Sequence, residues 1–118
     1  MAKTWLENES TISCDNAILS QGFAMIPMIV LSDGDLSPGG KVIYQGLLWY
    51  KWRGQDYPGH EQAAEDFGLS RVSVNRYMKD LEERGLVQSH RPGLGQPNTY
   101  HLPDPNAVIK GLLAEVPN

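Results

Sequence analysis

The sequence predicts a mainly helical α+β fold with one small β-hairpin, and three observations predict it. Residues 60–67 and 71–84 each carry apolar side chains at helical period, and Gly68 and Ser70 lie between them. Two short alternating segments, 86–91 and 98–102, flank a Gly/Pro-rich tip at 92–97. Ser37-Pro38 and Asp104-Pro105 each pair a capping side chain with proline at the first helical position. Helix, tight turn, second helix and hairpin, in that order, describe a winged helix-turn-helix.

Residues 1–21 read as an N-terminal arm. They are polar and acidic, with Trp5, Leu6, Ile12, Ile18 and Leu19 scattered at no clear period. The arm either floats free or packs on its own domain or a second subunit; Trp5, costly to leave in water, is the natural anchor. Residues 22–102 read as the domain. Phe23, Met25, Ile26 and residues 28–31 are apolar, and Pro27 starts a short helical turn. Residues 32–36 form a loop whose acids, Asp33 and Asp35, read as solvated, because their spacing falls far short of a calcium loop.

The helix from Ser37-Pro38 runs to about Trp52, its first turn weakened by Gly39 and Gly40. Val42, Ile43, Gly46, Leu47 and Tyr50 share one side, while Leu48, Trp49 and Trp52 fall elsewhere. A helix apolar around so much of its circumference is buried from several directions. Residues 53–59 form a loop, and Gly59 is a permissible cap for the helix at 60–67, whose outer face is acidic at Glu61, Glu65 and Asp66.

Gly68 supplies the left-handed conformation that closes a helix, and Ser70 caps the next. Ala64 marks the small-residue contact between the two helices, with Val74 directed back at Gly68. Ala63, Phe67, Leu69, Val74, Tyr77, Met78 and Leu81 form one apolar surface. The opposite face of the second helix carries Arg71, Val72, Ser73, Asn75, Arg76 and Lys79, rich in donors and free of acid until Asp80. Arg reaches guanine bidentately and Asn reaches adenine, whereas Lys and Ser suit phosphates. Arg71, Asn75 and Arg76 are therefore the candidate base readers, with Val72 beside them; Ser70, Ser73 and Lys79 are candidate phosphate contacts. In the hairpin the candidates are Arg91, Gln96 and Asn98, with His90. Residues 103–118 form a short amphipathic helix ending at Pro117, with Val108, Leu112 and Val116 on one face. It packs on the aromatic helix of its own domain or forms a dimer interface, and the sequence leaves both open.

Composition narrows the function. A chain of 118 residues is long enough to bury a core without staples. A single cysteine, Cys14, excludes an intramolecular disulfide and a cysteine-based zinc site. The first twenty residues lack a basic start and an apolar run, and the stretch 23–31 is too short to span a membrane, so a cytoplasmic protein with no membrane partner is expected. The net charge of −4 is unusual for a nucleic-acid binder, but the charge is unevenly spread. Residues 70–101 carry a local +2 and residues 1–69 a local −5. No enzyme is expected: His60, His90 and His101 lack a metal-ligand spacing, no Gly-x-Ser-x-Gly elbow occurs, and the glycines at the hairpin tip do not form a nucleotide loop. No cofactor is implied.

One further reading rests on resemblance. Residues 23–102 resemble the winged helix-turn-helix domain of plasmid and phage replication initiators and of DnaD-type bacterial replication proteins. The residues that carry it are Phe23 to Pro27, Leu36-Ser37-Pro38, the aromatic helix to Trp52, Tyr57-Pro58, Ala64 through Leu86, and Arg91 through Tyr100. The resemblance covers about two thirds of the chain and is more specific for fold than for role, since transcription regulators share the same core. It implies sequence-specific binding of double-stranded DNA, the helix 71–84 in the major groove and the hairpin 87–102 as a wing, in replication initiation or mobile-element regulation. Nothing in the chain corresponds to an ATPase, nickase or polymerase domain. A dimeric transcription regulator and a winged-helix protein-interaction module are the alternatives. A homodimer and a replication or transcription protein are the partners these readings allow.

Overall fold

The computed structural model describes residues 11–95 and 98–111. Five α-helices and one two-stranded hairpin make up the described chain: α1 (Met28–Leu31), α2 (Pro38–Trp52), α3 (His60–Phe67), α4 (Arg71–Arg84), β1 (Gln88–His90), β2 (Thr99–His101) and α5 (Pro105–Ile109). A 3-10 helix, Asn16–Ser20, precedes them. The fold class is the one expected, a mainly helical α+β fold in which a helix-turn-helix is followed by an antiparallel hairpin, an arrangement compatible with a winged helix.

The helix boundaries follow local chemistry. Ser37 accepts from the Gly40 N–H at 3.0 Å and starts α2 with Pro38 at its first position. Gly68, at φ +69°, ends α3, and Gly85, at φ +85°, ends α4. A Cβ at Gly68 would meet nothing within 4 Å, so backbone angle alone demands glycine there. The expected approach of Val74 to Gly68 is not what closes the turn. The close approaches lie in α2 instead: the Tyr77 ring sits on Gly39, and the Phe67 ring sits on Gly46. The glycines that weaken α2 as an isolated helix let α3 and α4 lean directly on its backbone.

The core gathers Val30, Leu36, Ile43, Tyr44, Leu47, Tyr50, Ala63, Ala64, Val74, Met78, Leu81, Leu86 and Val87. α4 packs against both α2 and α3 and is the central element. The apolar face read at 74, 78 and 81 is buried, and Phe67, Leu69 and Tyr77 lie against its margin. In α2, Tyr44 replaces Val42 in the core; Val42 is exposed, because the buried face follows 43, 47 and 50. Leu86 and Val87 are core residues rather than hairpin, so β1 begins only at Gln88, paired with His101. Ser89 pairs with Tyr100 and His90 with Thr99. Tyr100 and Leu102 lean on the core, as the alternation predicts.

Two expectations need correction. Asp33 is not solvated: it is buried and accepts from Arg84, Nε to Oδ2 at 2.8 Å and Nη2 to Oδ1 at 3.2 Å. The pair ties the loop before α2 to the end of α4. The C-terminal helix, capped by Asp104 through the Asn106 N–H, spans only Pro105–Ile109 among the described residues, and Gly111 follows at φ +74°. Its described part packs chiefly on α1, with Val108 beside Gly85. Leu112, Val116 and Pro117 lie outside the described residues, as does Trp5. Cys14 is a free, exposed thiol. No helix among the described residues is long and apolar enough to cross a membrane.

Candidate nucleic-acid interface

α4 has a buried side and a donor-bearing side, and the cap sets where the second begins. Ser70 accepts from the Ser73 N–H at 3.0 Å, and its hydroxyl donates to Ser73 Oγ at 3.0 Å. Both serines expected to hold phosphates are thus engaged with each other, and Ser73 is half-buried. Arg71, Val72, Asn75, Arg76 and Lys79 are exposed and lie on the face opposite Val74, Met78 and Leu81. Val72 is 75% exposed, a large apolar side chain left in water at the centre of this polar strip.

Acids close to the strip are partly turned away. Asp80 accepts from the Ser37 hydroxyl at 2.7 Å, which directs its carboxylate toward the start of α2. Arg84, counted among the local positive charges, is spent on Asp33 and adds nothing to the outer face. Arg76 folds over its neighbour: its guanidinium lies 4.9 Å from the Tyr77 ring centroid, and Nη2 donates to the Tyr77 hydroxyl at 3.0 Å. Tyr77 is itself seated on Gly39, so α2 indirectly steadies Arg76.

In the hairpin, His90 and Arg91 are exposed and Asn98 is half-buried. Arg91 Nε donates to Asn98 Oδ1 at 3.1 Å, so two of the expected contacts brace each other across the tip. Gln96 lies outside the described residues. Leu94 stands fully exposed at the tip.

His60 and Tyr57 belong to this region and were not among the expected residues. A concavity of about 260 Å³ is lined by His60, Arg71, Val72 and Asn75. His60, at the start of α3, therefore faces the first turns of α4. The Tyr57 hydroxyl lies 2.7 Å from His60 Nδ1, and the two rings meet edge-on at 5.7 Å. Tyr57 also packs edge-on against Tyr100 of β2 at 5.0 Å and against Tyr50 of α2 at 6.1 Å. One side chain thus touches α2, the start of α3 and the hairpin. Burial, then the nearby charge of Arg71, lowers the His60 pKa, opposed by Asn75 and Glu82. Burial pushes the Tyr57 hydroxyl well above the usual phenol range, so it stays protonated. No periodicity points to Tyr57, and the only sequence signal for His60 is its place at the start of the helix before the turn. Among the described residues, no group of three His, Cys, Asp or Glu is arranged to hold a metal ion.

No family model and no curated protein matches the chain. Solved structures do. A chain from a Rep–DNA complex superposes with a TM-score of 0.59 at 19% identity, covering 89% of this chain and 95% of its own. The N-terminal domain of a DNA-binding protein superposes with a TM-score of 0.54 at 16% identity, covering 93% of this chain and all of its own. The likeness is one of fold, and it extends over nearly the whole of each chain.

Proposed function

We propose that the protein binds double-stranded DNA through α4, with the hairpin as an accessory contact. The observation that carries this reading is the exposed strip Arg71, Val72, Asn75, Arg76 and Lys79 on a helix whose other side is the core. A helix held this way presents its outer face as one rigid unit, and the major groove accepts a helix of this kind. Of the three candidate base readers, Arg76 reaches base edges, while Arg71 and Asn75, which line the concavity beside His60, stand at the groove edge; Val72 meets a thymine methyl, and Lys79 holds a phosphate. Arg91 and His90 add backbone contacts from the hairpin. The engagement of Ser70 and Ser73 with each other makes them supports of the helix start more than free phosphate donors. A protein of known structure with this fold lies in a Rep–DNA complex, which favours a role in replication initiation over metabolite-responsive transcription control. The mechanism involves binding and positioning, with no chemical step.

The test is fluorescence anisotropy with a labelled random-sequence duplex pool at low and at physiological salt. Arg71→Ala/Arg76→Ala should abolish binding while the far-UV circular dichroism stays unchanged. Selection from the pool should yield a preferred site for the native chain. Native-level binding by the double variant would remove α4 from the interface.

A further inference from the structure

We propose that the concavity between α3 and α4 seats one DNA backbone phosphate, and that His60 takes up a proton as the duplex binds. This deepens the DNA-binding reading above and rests on it. The concavity, about 260 Å³, brings together one guanidinium, one imidazole and one carboxamide, from Arg71, His60 and Asn75. A phosphodiester offers only acceptors and one negative charge, which is the complement of that set. Arg71 and Asn75 are exposed and His60 is half-buried, so a backbone following the edge of the groove reaches all three.

The imidazole is oriented before any ligand arrives. In the proposed free state the Tyr57 hydroxyl, 2.7 Å from Nδ1 and protonated, acts as the donor to it. The neutral ring then carries its proton on Nε2, the nitrogen remaining for the concavity. In the free protein, burial and then Arg71 lower the ring's pKa, against Asn75 and Glu82. A phosphate beside Arg71 offsets that positive charge and favours the imidazolium. The added proton goes to Nδ1, and the Tyr57 hydroxyl turns from donor to acceptor, so the hydrogen bond survives with its direction reversed. The charged and polar groups facing the ring are Arg71, Asn75 and Glu82 from α4 and Tyr57 from the preceding loop, with Tyr100 of β2 behind Tyr57.

Binding is therefore linked to proton uptake and tightens as pH falls. The experiment measures the affinity of the full chain for a labelled mixed-sequence duplex at fixed salt, between about pH 7.5 and pH 5.5, across the ordinary imidazole range. The native chain should bind roughly three- to tenfold tighter at the acid end, as expected for one coupled proton. His60→Gln cannot charge, so its affinity should be flat with pH. Tyr57→Phe removes a partner of both ring states, and the bond to the charged ring is the stronger, so its pH response should move to lower pH. His101→Gln, outside the proposed interface, should keep the native response, and observing the His60 ring itself separates it from His90. In NMR, the His60 ring should titrate at higher pH with duplex present than without. A native pH response in His60→Gln, or a His60 titration unmoved by duplex, overturns the proposal. Duplex binding that is flat with pH in the native chain overturns it and leaves the DNA-binding reading standing. Absence of binding at every pH overturns both.

Discussion

Asp33 and Arg84, separated by 51 positions in sequence, are joined by two hydrogen bonds. Asp33 is buried, and the Arg84 guanidinium holds its carboxyl below the usual carboxylate range, against the opposing effect of burial. Because the folded-state pKa is depressed, the pair's contribution is full above the unfolded value, near pH 4, and is lost as pH falls through the folded value. Asp33→Asn removes the charge and keeps the shape, leaving Arg84 half-paired at the margin of the core. It should lower stability by about 1–3 kcal/mol at neutral pH. The difference from the native chain should shrink as pH falls from about 4 toward the depressed folded-state value, below which Asp33 is protonated in the native chain too. Urea denaturation at neutral and acid pH reads both. Asp33 also shows where residue-scale reading stops. The loop at 32–36 was legible in its turn residues, but nothing local names Arg84 as a partner for Asp33. Arg76 is similar: its helical position put it on the outer face, yet its stacking on Tyr77 depends on side-chain packing that no spacing records.

At the scale of elements, the parts most legible in the sequence were those whose ends are fixed by their own residues. α3 and α4 fall at 60–67 and 71–84, where Gly68, Ser70 and Gly85 put them, because capping acts within a few residues of the terminus. The β-strands and α5 were less legible. Leu86 and Val87 fit a strand pattern but are drawn into the core at the end of α4, and α5 packs on α1 with Val108 beside Gly85, contacts between distant segments that no local pattern records. α2 held a second meaning for its glycines. Gly46 is buried under the Phe67 ring, and that ring lies 6.2 Å from Trp49 and 5.4 Å from Tyr50. Gly46→Ala would gain about 1 kcal/mol in helix propensity. The added methyl would also meet an aromatic ring already confined by two others, and overpacking of that kind costs about 1–3 kcal/mol. A net loss in thermal stability is expected, with α2 and α3 separating slightly. An unchanged or raised melting temperature would mean that Phe67 shifts freely and that the α2–α3 contact is loose.

Across the whole molecule, the uneven charge decides how a chain of net charge −4 would meet a polyanion. The acidic half of the sequence, residues 1–69, opposes approach to DNA. Pairing of Arg84 with Asp33 leaves Arg71, Arg76, Lys79 and Arg91 as the cations of the proposed interface. With Arg76 on a base edge, Arg71, Lys79 and Arg91 remain for phosphates and imply a log–log dependence of affinity on salt with a slope of roughly −3. Arg76 and Arg91 should then separate in two measurements. Arg76→Ala should cost about 1–3 kcal/mol on the preferred site and relax discrimination against other sequences. Arg91→Ala should weaken all duplexes alike and make the salt slope shallower by about one, because it contacts backbone only. The Arg91–Asn98 hydrogen bond sharpens this contrast, since it aims the guanidinium from a braced hairpin rather than a free tip. Asn98→Ala leaves the charge in place but removes the brace. It should weaken binding less than Arg91→Ala and leave the salt slope nearly native. A loss of slope equal to that of Arg91→Ala would mean that the hairpin's shape, more than the Arg91 charge, holds the DNA.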